Sequence, residues 1–358
     1  MNILLFVAGL AALVLGAQIL VRGASRLALS LGISPLVVGL TVVAFGTSAP
    51  EMAVSVGAAL DGQTDIAIGN VVGSNIFNVL FILGLSALIV PLVVNVQLIR
   101  QEVPIMLGAS LLLLVLVQDG RIGMLDGALL FTLLIGYTAF LVVQSRTLAQ
   151  FASEHLTDEL PSLKAGTWDA RLPVQLLLIA AGLVLLVLGS DWLVTAAVAF
   201  AKAIGVSDLV IGLTIVAAGT SLPEVAASVA AALKGERDMA VGNIIGSNTF
   251  NILGCLGLAG MASGSAGLGV GAQVMHFDLW VMLAVALACL PVFITGREIA
   301  RWEGALFLAY YAAYAAWLVL SARHDGALPM YSTVMTSFVL PLTLVTLVVM
   351  LIRHRPHK

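Results

Sequence analysis

Charge is scarce in this chain. Asp, Glu, Lys and Arg together make up 10% of its 358 residues, while 61% are hydrophobic. A soluble domain carries about 25% charged residues, so a water-soluble globular fold is excluded and an integral membrane protein is indicated. The short alternating segments of a membrane β-barrel are also missing; the apolar runs instead have the length of spanning helices, about 20 residues each. No basic cluster marks a nucleic-acid partner. Only two cysteines occur, Cys255 and Cys289, far apart in apolar runs and without a CxxC spacing, so both read as small packed hydrophobes. The five histidines, His155, His276, His324, His354 and His357, have no zinc-ligand spacing with cysteine. No cofactor is expected, and the net charge of -3 says little about partners.

Apolar runs cover 3–21, 35–60, 66–90, 103–118, 123–144, 173–195, 208–233, 239–261, 276–295, 302–321 and 330–352. The fold expected is all-α and membrane-embedded. The first run has no basic stretch before it and is long enough to span, so it reads as a helix rather than a signal peptide. It and the sixth run can continue as tilted helices through Ser30 and Ile204. Eleven spans with the N-terminus outside put thirteen of the sixteen Lys and Arg residues on the cytoplasmic side, leaving only Arg121, Lys202 and Arg323 outside. The expected division is 1–145, a first set of five helices; 146–172, a cytoplasmic connector; 173–321, a second set of five; and 322–358, an extra, peripheral helix with a basic tail.

Within this apolar background one stretch occurs twice. Residues 39–78, GLTVVAFGTSAPEMAVSVGAALDGQTDIAIGNVVGSNIFN, return as 212–251 at a constant offset of 173, with 26 of 40 positions identical. Five spans per half is an odd number, so the second copy enters the membrane from the opposite side. Inverted repeats of this kind place a binding site at mid-bilayer, where broken helices meet.

Each copy carries one carboxylate, Glu51 or Glu224, after a Gly-Thr-Ser-x-Pro break. An ionisable residue inside an apolar span is costly and by default functional. Pro50 and Pro223 lack an N–H, so the carbonyls of Gly46 and Gly219 lose their helical partners. At membrane depth such carbonyls need a polar partner, and a cation is one. Thr47, Ser48, Thr220 and Ser221 add hydroxyls. Carbonyls, hydroxyls and carboxylates are hard oxygen ligands, suited to Ca²⁺ or Na⁺. The competing explanation is a proline kink whose Glu is satisfied by a buried partner; duplication in both copies weighs against it. On the following helix Ser74 and Asn78 share a face with Asn70 and are expected to turn oxygens toward the break before them; Ser247, Asn251 and Asn243 repeat the pattern. Gly69, Gly73, Gly242 and Gly246 are expected to allow close helix approach. Asn70 and Asn243 read either as ligands or as bridges between helices, and Asn75 and Asn248 as supports for helix contacts. Asp61, Asp65, Glu236 and Asp238 read as solvated helix ends.

GTSAPE…GNVVGSNIFN and GTSLPE…GNIIGSNTFN resemble the paired α-repeats of the Ca²⁺/cation antiporter superfamily, specifically its bacterial Na⁺/Ca²⁺ exchanger-like members. The resemblance implies two inverted five-helix repeats in a bacterial inner membrane and alternating-access antiport of Na⁺ and Ca²⁺. It implies Glu51 and Glu224 as shared ligands and Ser74, Ser247, Asn78 and Asn251 as the polar ring. Carbonyls near Ala44, Thr47, Ala217 and Thr220, with the hydroxyls of Ser48 and Ser221, would line flanking Na⁺ sites. Asn251 stands where potassium-dependent relatives have Asp, which argues against K⁺ cotransport. The H⁺-coupled branch has a Glu after its Gly-Asn pair, and Gly69-Asn70-Val71-Val72 has none. The alternatives are H⁺-coupled antiport of Ca²⁺ or another divalent cation, and a channel. An intramembrane hydrolase would need a nucleophile with its base or a His ligand set, and the broken helices contain no His or Cys.

Overall fold

The computed structural model describes residues 2–155, 169, 171–204, 215 and 217–353. Almost all of these are helical. Helices α1 (Asn2–Leu31), α4 (Thr64–Ile89), α5 (Leu98–Asp119), α6 (Met124–His155), α7 (Leu172–Ala203), α9 (Arg237–Ala262), α10 (Val274–Ile294), α11 (Arg301–Ala322) and α12 (328–353) are each long and apolar enough to cross a membrane. Helices α2 (Pro35–Thr47) and α3 (Ala49–Leu60) form one span bent by 44° at Ser48. The counterpart of that bent pair, 208–233, falls partly outside the described residues; its second segment is α8 (Leu222–Leu233), preceded by a single turn, Ala217–Gly219. The connector is described only to His155, at Asp169, and from Arg171 onward. The first and sixth runs do continue past the apolar stretch, to Leu31 and Ala203.

The bend follows from the sequence. Pro50 and Pro223 occupy the first turn of α3 and α8, where a missing N–H costs nothing because that donor has no helical acceptor. Ser48 and Ser221, just before, take φ/ψ of -82°/4° and -90°/6°, outside the helical region. The ends of α3 and α8 are also alike. Gly62 and Gly235 adopt φ of +72° and +83°, which only glycine reaches without strain, and the N–H groups of Gln63 and Glu236 return to Ala58 and Ala231.

Helices α1 and α7 pack antiparallel, with backbones in contact. A Cβ on Gly16 would lie 2.9 Å from the carbonyl of Gly182, and one on Gly9 the same distance from that of Gly189. Gly9 and Gly16 are themselves 173 positions before Gly182 and Gly189, so a helix and its own counterpart run in opposite directions. Across this pair Asp169, buried, accepts from Arg22 at 2.8 Å and Arg26 at 3.1 Å.

Helices α4 and α9 form the centre: 72% and 89% of their spans are buried, against none of α12. Two short antiparallel ribbons tie the halves together. Strand β1 (Leu92–Val93) pairs with β4 (Glu298–Ile299), and β2 (Arg121–Ile122) with β3 (Leu268–Gly269). Each ribbon satisfies backbone groups at helix ends that would otherwise lie unpaired.

Candidate functional site

The 44° break turns the first residues of α3 toward the middle of the molecule. Glu51 and Glu224, in the first turns of α3 and α8, are each 1% exposed. Ser48 Oγ donates to Glu224 Oε1 at 3.0 Å, and Ser221 Oγ to Glu51 Oε1 at 2.9 Å. Each break therefore binds the carboxylate of the other copy. Ser221 Oγ also lies 3.2 Å from Ser74 Oγ on α4.

A second crossed pair surrounds the first. Thr47 Oγ1 lies 3.2 Å from Asn243 Oδ1 on α9, and Thr220 Oγ1 lies 3.4 Å from Asn70 Oδ1 on α4. Asn70 Nδ2 donates to Ser55 Oγ at 3.0 Å, and Asn243 Nδ2 to Ser228 Oγ at 2.9 Å. Asn70 and Asn243 thus bridge helices, one of the two roles open to them. Asn78 Nδ2 donates to Asn248 Oδ1 at 2.9 Å, and Asn251 Nδ2 to Asn75 Oδ1 at 3.0 Å. Nearly every bond in one copy recurs in the other.

Four buried oxygens in this set have no hydrogen-bond partner: Glu51 Oε2, Glu224 Oε2, Asn78 Oδ1 and Ser247 Oγ. A buried polar atom without a partner costs about 1–3 kcal/mol, more if charged. Here two carboxylate oxygens, an amide oxygen and a hydroxyl share one interior. No Lys, Arg or His forms an ion pair with either Glu among the described residues. Two buried carboxylates without basic partners require a cation or protons. The donor set is all oxygen and suits a hard cation.

Several expectations change in detail. Ser74 and Asn78 make their side-chain hydrogen bonds to Ser221 and Asn248 of the other copy, because the antiparallel halves interleave. The carbonyl freed by Pro223 accepts the Ser190 hydroxyl at 2.6 Å, so at Gly219 a side chain on α7 does what a cation was expected to do. The counterpart of Ser190 is Ala17, which has no hydroxyl, so the two copies differ here. The Ala44 carbonyl takes the Ser48 N–H at 3.0 Å; Ala217 lies in the single turn before α8, and its side chain is outside the described residues. Asn251 Oδ1 faces the Cys255 thiol at 3.5 Å, so Cys255 is more than a packed hydrophobe. Gly242 and Gly246 do permit close approach: a Cβ there would meet the carbonyls of Leu36 and Leu40 at 2.9 and 2.7 Å. At Gly69 and Gly73 a Cβ would meet nothing within 4 Å among the described residues; the positions corresponding to Leu36 and Leu40, 209 and 213, lie outside them.

Sequence reasoning missed Ser55, Ser228 and Ser190. The first two were visible, being identical at the 173 offset; Ser190 was not, since only one copy has it.

The family profile described as sodium/calcium exchanger protein matches residues 1–143 and 174–320. The sodium/calcium exchanger MaX1 of Methanosarcina acetivorans is 34% identical over 342 residues, covering 87% of this chain and 97% of that protein. The inner membrane protein YrbG of Escherichia coli is 41% identical over 194 residues, 54% of this chain and 59% of that protein. Among solved structures, the sodium-calcium exchanger NCX_Mj superposes with a TM-score of 0.74 at 33% identity, over 88% of this chain and 98% of that one.

Proposed function

The chain belongs to the sodium/calcium exchanger protein family, and from that premise we propose that it exchanges Na⁺ for Ca²⁺ across the membrane by alternating access. It is a multi-pass membrane transporter and not an enzyme. In this reading residues 1–145 and 173–321 are inverted five-helix repeats, 146–172 is a cytoplasmic connector, and the segment from 322 adds a peripheral eleventh span. The N-terminus lies outside.

Ca²⁺ binds between Glu51 and Glu224, with Ser74, Ser247, Asn78 and Asn251 around it. Na⁺ occupies flanking positions lined by Ser48, Ser221 and the backbone at Ala44, Thr47, Ala217 and Thr220. One observation carries this: the two carboxylates, each bonded by the other copy's serine, keep an unpartnered oxygen apiece in the same interior. A formal charge of -2 is neutralised by one Ca²⁺ or by several Na⁺, so either load fits and both at full occupancy do not. Competition of that kind is what exchange requires.

The test is ⁴⁵Ca²⁺ uptake into vesicles containing the protein. An opposing Na⁺ gradient is expected to drive uptake, and a pH gradient without Na⁺ is not. Uptake driven by pH alone would establish H⁺-coupled antiport instead, and uptake indifferent to either gradient would indicate a channel.

A further inference from the structure

Two methionines outside the repeated segments reach the asparagines that flank the site. Met106 of α5 and Met282 of α10 are both buried. Asn248 Nδ2 donates to Met106 Sδ at 3.5 Å, and Asn75 Nδ2 to Met282 Sδ at 3.6 Å. A thioether sulfur accepts hydrogen bonds and cannot donate them; the same holds for a backbone carbonyl. Asn248 Nδ2 faces two such groups, the sulfur and Asn75 O at 3.3 Å, and Asn75 Nδ2 likewise faces a sulfur and Asn248 O at 3.2 Å. Turning either amide over would set its oxygen against both acceptors.

That polarity passes to the next amide. With its nitrogen held, Asn248 presents Oδ1 to Asn78, which answers with Nδ2. Asn78 Oδ1 is left on the opposite side, buried and unpartnered. An Asn78 turned the other way would offer a cation its N–H groups and repel it. In the other half the chain ends differently: Asn75 takes Nδ2 of Asn251, whose Oδ1 is occupied by the Cys255 thiol.

The sulfurs are themselves held in place. Met106 stands one turn after Glu102, which accepts from Tyr137 on α6 at 2.7 Å and from Gln97 at 2.9 Å. Met282 stands one turn after Asp278, which accepts from Tyr314 on α11 at 2.9 Å and from Gln273 at 3.3 Å. Each clasp sets the rotation of its helix, and with it the direction of the methionine four residues on.

We propose that Met106 and Met282 are positioning residues for ion binding: their sulfurs fix the orientation of Asn248 and Asn75, and Met106 thereby turns the oxygen of Asn78 toward the cation. The inference rests on the assignment of Asn78 as a Ca²⁺ ligand made above. It predicts an asymmetry, since Met282 acts on an Asn251 whose oxygen already has a partner.

The test is equilibrium ⁴⁵Ca²⁺ binding to the purified full-length protein. Met106→Leu keeps the volume nearly constant and removes the acceptor. Its Kd is expected to rise about three- to tenfold, the size of one modest hydrogen bond, with an unchanged Tm; Met282→Leu is expected to change Kd less. In an Asn78→Ala background Met106→Leu is expected to have no further effect, because there is no oxygen left to orient. Met106→Ile gives a second replacement should leucine disturb folding. A Met106→Leu Kd equal to that of the unmodified protein, or the same fold-change with and without Asn78, would overturn the proposal. If transport proves independent of Na⁺, the coupling fails while the Kd comparison still judges the methionines. If the unmodified protein binds no Ca²⁺, the ligand assignment fails and this inference with it.

Discussion

Glu51→Gln is the most informative single perturbation. The replacement keeps the shape of the side chain and can still accept from Ser221, since Oε1 is the atom that serine reaches at 2.9 Å. What it changes is the other atom. Oε2 is buried and unpartnered, and an amide NH₂ in its place points a donor into a group of oxygens. The formal charge of the pair falls from -2 to -1, so bound Ca²⁺ leaves one buried positive charge uncompensated. Removing one partner of a buried ion pair costs about 3–5 kcal/mol, which is roughly 150- to 5000-fold in affinity. The Kd for Ca²⁺, from ⁴⁵Ca²⁺ binding to the purified protein, is expected to rise by at least two orders of magnitude, and Na⁺-driven uptake to vanish. Glu224→Gln is expected to match it, because Ser48 holds Glu224 as Ser221 holds Glu51. Glu102→Gln is the control: that carboxylate is also buried, but both its oxygens are hydrogen-bonded, to Gln97, Gln101 and Tyr137. Its effect on Kd should be under tenfold. A Glu51→Gln protein that binds Ca²⁺ within tenfold of the unmodified one would refute the assignment.

Two further outcomes are expected. Ser48→Ala and Ser221→Ala each remove a hydrogen bond to a buried carboxylate, a loss of about 1.5–3 kcal/mol; Ca²⁺ and Na⁺ affinities should weaken about ten- to hundredfold, and equally in the two variants. Clearly unequal effects would show that the halves do not contribute alike. Gly16→Val places a side chain where the Gly182 carbonyl already lies 2.9 Å from the Cβ position, and overpacking of this kind costs about 1–3 kcal/mol. A lower Tm in detergent is expected, and an unchanged one would count against backbone contact between α1 and α7.

Much of this protein could be read without coordinates, and the reason is specific. In a membrane every backbone group must be satisfied within the chain, so apolar runs become helices and their ends can be placed by hydropathy. A proline and a glutamate in such a run are costly, and their recurrence at one offset marks a site. Glu51, Glu224, Ser74 and Asn78 stood out for that reason, and all four are buried. Ser55 and Ser228 carried the same signal, at the same offset.

What the linear order did not contain is which side chain meets which. A carboxylate and a serine three residues apart invite a local pairing, yet Ser48 binds Glu224 and Ser221 binds Glu51. That choice follows from the antiparallel interleaving of the two halves, which sets each break against the other copy's carboxylate. Symmetry also conceals its own exceptions. Ser190 caps a freed carbonyl in one half only, and Cys255 occupies the oxygen of Asn251 while that of Asn78 stays open. Met106 and Met282 lie outside the duplicated stretches 39–78 and 212–251 and meet Asn248 and Asn75 only because α5 and α10 pack beside them. Hydropathy and the placement of proline were enough to specify the helices and the break. The pairing of donors and the direction of each amide came from the packing of the halves, because hydrogen-bond geometry depends on position in space rather than on offset along the chain.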